Sequence, residues 1–262
     1  MDKVTTYLKR IGVKARPQPT AKALCGLQRQ HLLHVPYEDL DIWYGRAGSL
    51  AYDELFDKIV LRHRGGYCFE LNGLFGWLLR ELGYDTVEHF GRWLMGESLE
   101  VPARRHRVIR VQLGNTAYIA DVGVGQRAPL TPLELVHDKV QNREGIDYRI
   151  VRHDRLGNVV EVRMGDAWTR MYSFDDAAQE PIDFNYVHYY CVNHPASFFR
   201  NNLLVHLPTP TGRKSIGSAP DPETGESVPV LSLGGVKGTT KTYLRTSDSF
   251  TAALKRHFGI VL

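Results

Sequence analysis

Arg64-Gly65-Gly66-Tyr67-Cys68-Phe69-Glu70-Leu71-Asn72 is the stretch on which the reading of this chain turns. Two glycines make a turn, and an apolar run follows at once: Phe69, Leu74, Phe75, Leu78, Leu79 and Leu82, spaced along one helical face and stopped at a capping Gly83. The turn gives way to the helix at a single cysteine. Unpaired backbone N–H groups in a first helical turn, together with the helix dipole, stabilise negative charge, so the position suits a thiolate and is expected to lower the pKa of Cys68.

Upstream of that helix, Val4, Tyr7, Leu8 and Ile11, then Leu24, Leu27 and Leu32, then Leu55, Ile59 and Val60 repeat the helical spacing. Residues 1–83 therefore read as a helical bundle that carries Cys68. Downstream the period changes to alternating and β-branched stretches at Val108–Leu113, Ala117–Val122, Tyr148–Val151, Val159–Arg163 and Trp168–Phe174. Gly114-Asn115 and Leu156-Gly157-Asn158 interrupt them as hairpin turns, which predicts an antiparallel barrel or curled sheet within 84–192. After Pro181 the pattern is mixed. It holds aromatic residues from Phe184 to Phe199, a Gly/Pro-rich loop from Pro208 to Pro229, short strands, and a last helix from Ser247 to His257. Residues 193–262 form the third unit, and the class is α+β.

Composition narrows the function. At 262 residues, 43% hydrophobic and 24% charged, the chain has the make-up of an ordinary soluble protein with a substantial core. Met1-Asp2-Lys3-Val4-Thr5 lacks a signal-peptide pattern and no apolar stretch is long enough to span a bilayer, so a cytoplasmic location without membrane partners is expected. The formal charge of +4 is spread among 33 basic and 29 acidic residues, which suits an anionic small molecule better than a nucleic acid. Three distant cysteines, Cys25, Cys68 and Cys191, suggest neither disulfides nor a metal cluster. There is no Gly-x-Gly-x-x-Gly or Walker-type loop, and nothing fixes an oligomeric state.

A cysteine nucleophile needs a base for its proton and a third group to hold that base in one tautomer. His106 opens one predicted strand and Asp121 ends the next, fifteen residues on and across the Gly114-Asn115 turn. A hairpin there brings the start of one strand beside the end of the other. Cys68, His106 and Asp121 are thus candidates for one constellation. Taken singly, each also reads as a small buried thiol, one of eleven histidines, and a turn-starting aspartate.

The cysteine stretch resembles the nucleophile motif of the arylamine N-acetyltransferases. His34-Val35-Pro36-Tyr37-Glu38-Asp39-Leu40, His106-Arg107, Ala120-Asp121-Val122-Gly123-Val124-Gly125 and Asn193-His194-Pro195-Ala196-Ser197-Phe198-Phe199 are similar to further segments of that family, in family order. The resemblance implies a helical bundle, a β-barrel and a C-terminal α/β lid, with the first two units arranged as in papain-like peptidases. It implies a Cys68–His106–Asp121 triad that moves an acetyl group from acetyl-coenzyme A to an arylamine or hydrazine through an acyl-enzyme, with no metal. Tyr37, Phe69, Trp93 and Val124 are expected to line the amine slot, and Arg105, Gly123, Gly125, Ser197 and Phe199 to face the coenzyme. Arg104, Arg107, Arg127, Arg213 and Lys214 are further cations near these segments. Tyr37 and Val124 stand where the family usually has phenylalanine, and Asp39 where it usually has asparagine. Two alternatives are a cysteine hydrolase or transglutaminase-like enzyme, and a non-catalytic protein that binds coenzyme A or an aromatic ligand.

Overall fold

The computed structural model describes residues 2–235 and 238–262. The helical spacing near the N-terminus forms α1 (Lys3–Arg10) and α2 (Ala21–His34), each begun by a side chain that accepts a backbone N–H: Asp2 from Thr5 and Thr20 from Ala23. The two-residue β1 (Tyr37–Glu38), the short α3 (Leu40–Trp43) and α4 (Tyr52–Phe56) follow, and α4 runs into a π-helical turn at Asp57–Leu61. The cysteine stretch then opens α5 (Cys68–Glu81). Its apolar face, with Leu71, Leu74, Phe75, Leu78 and Leu79, is fully buried against α1, α2 and the turn after α4.

Eight strands make a nearly closed antiparallel barrel: β2 (Asp85–Trp93), β3 (Arg104–Leu113), β4 (Thr116–Ala120), β5 (Leu133–Glu134), β6 (Gln141–Arg143), β7 (Ile146–His153), β8 (Gly157–Met164) and β9 (Ala167–Phe174). Their spatial order is β5-β4-β3-β2-β9-β8-β7-β6. Gly114-Asn115 is the two-residue turn between β3 and β4, where Leu113 pairs with Thr116. The interruption before β8 falls two residues earlier than expected, on Asp154-Arg155-Leu156, and Gly157 already pairs with His153. Inward residues such as Val108, Ile109, Val111, Ile150 and Val160 join the same core as the helices, so barrel and bundle share one apolar interior.

Next come α6 (Phe184–Asn193) and α7 (Phe198–Asn201), then β10 (Val205–Thr209), β11 (Gly212–Pro220), β12 (Ser227–Gly235), β13 (Gly238–Tyr243) and α8 (Ser247–Phe258). The second sheet runs β1-β10-β11-β12-β13, so a strand from the first unit, pairing Tyr37 with His206, anchors the C-terminal sheet beside Cys68. Two expectations are corrected. The Pro208–Pro229 stretch is a strand ladder rather than a loop, with Pro208 opposite Arg213 and Pro220 opposite Ser227. Strand β2 had no counterpart in the sequence reading, because the adjacent polar residues Glu88 and His89 are both buried, one on each face, and so hide the alternation. Among the described residues no helix is long and apolar enough to cross a membrane.

Candidate active site

The glycine turn before α5 is held from outside by carboxylates. Glu38 accepts from Arg64 Nε at 2.9 Å, from the Gly65 N–H at 3.2 Å and from the Leu40 N–H at 2.9 Å. A Cβ on Gly65 would lie 2.0 Å from the Pro36 carbonyl oxygen, so only glycine passes there. Glu70, in the first turn of α5, accepts from the Tyr67 N–H at 3.0 Å and from Lys58 Nζ at 2.8 Å. Lys58 also meets Asp41 at 2.9 Å, and Arg64 meets Asp41 at 3.0 Å. This buried network fixes where α5 begins and therefore where Cys68 stands.

Strand β3 supplies the partner. Cys68 is 2% exposed, and its thiol donates to the Arg105 carbonyl at 3.5 Å. The next residue, His106, places Nε2 2.7 Å from Asp121 Oδ2 just past the end of β4. The other carboxylate oxygen accepts from Asn72 Nδ2 at 2.8 Å and from the Gly123 N–H at 2.8 Å. Asn72 also donates to the Arg107 carbonyl and accepts from the Val122 N–H, so one helical residue ties β3 and the Asp121 turn to the cysteine helix. With Nε2 turned to Asp121, Nδ1 is the imidazole nitrogen left for another partner. The ring of Tyr172 packs 4.9 Å from that imidazole, centroid to centroid.

Cys68 and His106 open on one cavity of about 200 Å³. Tyr37, Trp93 and Val124, read from the sequence as amine-slot residues, line it together with Arg105, Gly123 and Phe199, read as coenzyme contacts. Gln126 and His206 are common to this cavity and a second of about 380 Å³, whose wall includes Gly125, Arg127, Arg213 and Lys214. Two larger hollows, of about 810 and 730 Å³, lie elsewhere. The first is lined by the Lys58 network, whose charges are already paired, and neither holds Cys68, so chemistry assigns the site to the smaller cavity.

Two expectations about contacts are not met. Phe69 is fully buried among Tyr67, Phe90 and Phe184 and does not line the cavity. Ser197 is buried, and its hydroxyl donates to the Cys191 carbonyl at 2.6 Å at the start of α7. Met95, Gln126, Phe198, Leu204 and His206 line the cavity without having been singled out. For Asn72 a signal existed: it follows Cys68 by four residues, hence on the same helical face.

The expected depression of the Cys68 pKa is also reversed. Burial pushes this thiol well above its ordinary value, and the neighbouring Cys191 and Asp121 add to the rise. Arg105 and the Phe69 N–H oppose it. Burial lowers His206 to about 4, with Arg213 adding to the shift, so this cavity histidine is neutral at neutral pH.

A family model described as N-acetyltransferase matches residues 20–262. The arylamine N-acetyltransferase of Mycobacterium tuberculosis is 32% identical over 98% of this chain and 89% of its own length. A Salmonella typhimurium protein named arylamine N-acetyltransferase / N-hydroxyarylamine O-acetyltransferase is 33% identical over 77% of this chain and 72% of that one. Among solved structures, the Mycobacterium marinum arylamine N-acetyltransferase in complex with CoA superposes with a TM-score of 0.86 at 30% identity, covering 98% of this chain and 92% of that one.

Proposed function

This chain belongs to the arylamine N-acetyltransferase family, and from that premise we propose that Cys68, His106 and Asp121 form a triad carrying an acetyl group from acetyl-coenzyme A to an arylamine or hydrazine. The observation that carries the reading is the shared cavity: Cys68 and His106 face one small space, and Asp121 holds His106 by the nitrogen turned away from it.

Each step assigns a proton and a bond. His106 Nδ1 takes the Cys68 proton as the sulfur attacks the thioester carbonyl carbon. The Cys68 N–H, in a first helical turn and without a helical acceptor, is placed to stabilise the oxyanion. The carbon–sulfur bond to coenzyme A breaks, and its thiolate departs with the proton from His106. One thioester replaces another at nearly equal energy, so acetyl-enzyme accumulates. An amine then attacks the acetyl carbon, His106 accepts the amine's proton, and the Cys68–acetyl bond breaks, which makes the kinetics ping-pong. Asp121 steadies His106 throughout by favouring one tautomer.

Trp93, Tyr37 and Val124 form an apolar slot that limits water at the acetyl-enzyme. For coenzyme A, the adjoining cavity offers Arg127, Arg213 and Lys214 to the phosphates, while Gly123 and Gly125 let the backbone approach the pantetheine arm. A confined cavity of about 200 Å³ fits a single aromatic ring better than a polypeptide, which favours transfer over peptide hydrolysis. Intact mass after mixing with acetyl-coenzyme A and no acceptor tests the reading. One acetyl increment on the native chain, missing in Cys68→Ala, is expected; an unmodified native chain would refute the acyl-enzyme.

A further inference from the structure

We infer that a second, separate site on the barrel binds a free oxyanion of the phosphate class, on the face of the sheet turned away from Cys68. This goes beyond the transfer reading and does not depend on it. A cavity of about 220 Å³ lies where the end of β2, the start of β3, the end of β9 and the turn from β7 to β8 come together. Its wall carries four guanidiniums, Arg92, Arg104, Arg152 and Arg155, against two carboxylates, Asp154 and Asp175. None of its lining residues also lines the cavity at Cys68.

Sheet register aims three polar groups the same way. Arg92 stands opposite Arg104 on β3 and opposite Ser173 on β9, and cross-strand partners leave a sheet on one face. The next pair, Trp93 with Tyr172, leaves on the other face, where both rings pack on His106. Like charges directly opposite one another destabilise a sheet. Of these two arginines only Arg104 has a carboxylate, Asp175; Arg92 meets none among the described residues and donates Nη1 to the Pro102 carbonyl at 2.6 Å. Burial, and then the charge of Arg104, work against the Arg92 cation, with Asp175 opposing them. Ser173 is 0% exposed, and its hydroxyl has no hydrogen-bond partner among the described residues. A buried donor costs free energy unless something accepts from it. A tetrahedral oxyanion seated here accepts N–H bonds from both guanidiniums and the O–H bond from Ser173, and its charge offsets the repulsion across β2 and β3.

Coenzyme A is the other source of phosphate oxygens. Its thioester end belongs at Cys68 on the opposite face of β2, and the cations Arg127, Arg213 and Lys214 line the cavity that adjoins that one. A free phosphate or small phosphate ester is the better match for Arg92 and Arg104.

The test uses inorganic phosphate as the probe and sodium chloride at equal ionic strength as the control, because screening alone relieves some repulsion. A ligand that binds only the folded chain raises its Tm, so native protein is expected to gain Tm in phosphate beyond its gain in chloride, and to bind phosphate in a calorimetric titration. Arg92→Gln is expected to weaken that binding roughly tenfold, Ser173→Ala several-fold, and Arg92→Lys less than Arg92→Gln. Ser173→Ala removes a hydroxyl that has no partner, so it folds as well as native protein in chloride and keeps the test open should Arg92→Gln fold poorly. Equal gains in phosphate and chloride, or a native phosphate response in both Arg92→Gln and Ser173→Ala, overturn the inference. A response lost in Arg213→Gln and kept in Arg92→Gln places the anion in the neighbouring cavity and overturns it as well. Coenzyme A separates the two sources: phosphate binding is expected to persist at saturating coenzyme A, and the KM for acetyl-coenzyme A to stay at its native value in Arg92→Gln. Loss of phosphate binding to coenzyme A, or a tenfold rise in that KM, assigns these arginines to the coenzyme instead. The phosphate titration needs no turnover, so an inactive chain that still binds phosphate through Arg92 refutes the transfer reading and leaves this site standing.

Discussion

At the scale of single residues, the main fact is that Cys68 cannot ionise cheaply by itself. Burial outweighs the helix N-terminus and lifts the thiol well above its ordinary value, so a reactive sulfur requires a base beside it to take the proton. His106→Asn should therefore slow iodoacetamide alkylation of Cys68 at pH 7 by tenfold or more, read by peptide mass spectrometry. Cys191, pushed by burial to about 12, and Cys25, also raised, should react slowly in both proteins and serve as internal references. Equal Cys68 rates in native and variant chains would remove His106 as its base. Cys68, His106 and Asp121 were legible in the sequence because each polar residue marks an element boundary, and boundaries show as changes of period. Side-chain direction was less legible. Phe69 follows Cys68 by one residue, which turns it about 100° around the helix and into the aromatic cluster with Phe184 rather than the cavity. His206 and Leu204 reach the cavity only through the pairing of β1 with β10, a contact across most of the chain that no local pattern announces.

At the scale of elements, the site depends on how tightly the turn after β4 meets the start of α5. A Cβ on Gly123 would fall 2.7 Å from Cys68 Cα and 2.8 Å from Asn72 Nδ2, so Gly123→Ala must push the turn off the helix. Overpacking of this kind costs about 1–3 kcal/mol. A lower Tm together with at least a hundredfold slower acetylation of Cys68 is expected, whereas native acetylation at native Tm would show that the turn yields without consequence. The α5 start is equally sensitive from its other side. Lys58→Met leaves Glu70 buried without its lysine, and breaking a buried pair costs roughly 3–5 kcal/mol, a loss that urea unfolding would measure. Adding Glu70→Gln should recover part of it, because the uncompensated charge goes. A double variant no more stable than Lys58→Met would mean that the pair itself contributes little. Helix α5 and the β3–β4 hairpin were legible, since apolar spacing and a Gly-Asn turn are local signals. Strands β11 and β12 were obscured because Gly and Pro punctuate them, and their order comes from ladder pairing and the buried Ile216, Val230 and Leu231.

At the scale of the whole molecule, the division into bundle, barrel and C-terminal sheet could be read from changes of period, but the continuous core that joins bundle and barrel could not. Burying that much surface also traps titratable groups, and the three with the largest shifts among the histidines and carboxylates set the expected pH dependence of stability. His31, enclosed by Tyr7 and Phe75 with neither ring nitrogen bonded, is lowered to about 3 by burial, and His206 to about 4. Unfolded histidines take up protons below about 6.5 while these two refuse them, so the stability they give is full above that pH and is lost as pH falls toward 3 or 4. Asp39 works in the opposite sense. Its Oδ1 accepts from the Leu204 N–H at 2.9 Å, but Oδ2 is buried without a partner, and burial raises the carboxyl to about 8. The folded chain therefore holds a proton that the unfolded chain releases near 3.8, and the associated stability is lost as pH rises through 8. Two histidines outweigh one aspartate between about 4 and 6.5, and Asp39 acts alone from there to about 8. Stability should peak near pH 6.5 and fall by about 2 kcal/mol toward pH 8, at roughly 1.4 kcal/mol per unit. Urea midpoints at pH 5, 6.5 and 8 would check this. Asp39→Asn, which keeps the acceptor for Leu204 and cannot ionise, should flatten the alkaline side, and His31→Leu should soften the acid side. An Asp39→Asn protein that still weakens as steeply between pH 6.5 and 8 would show that the buried carboxyl is not the group responsible.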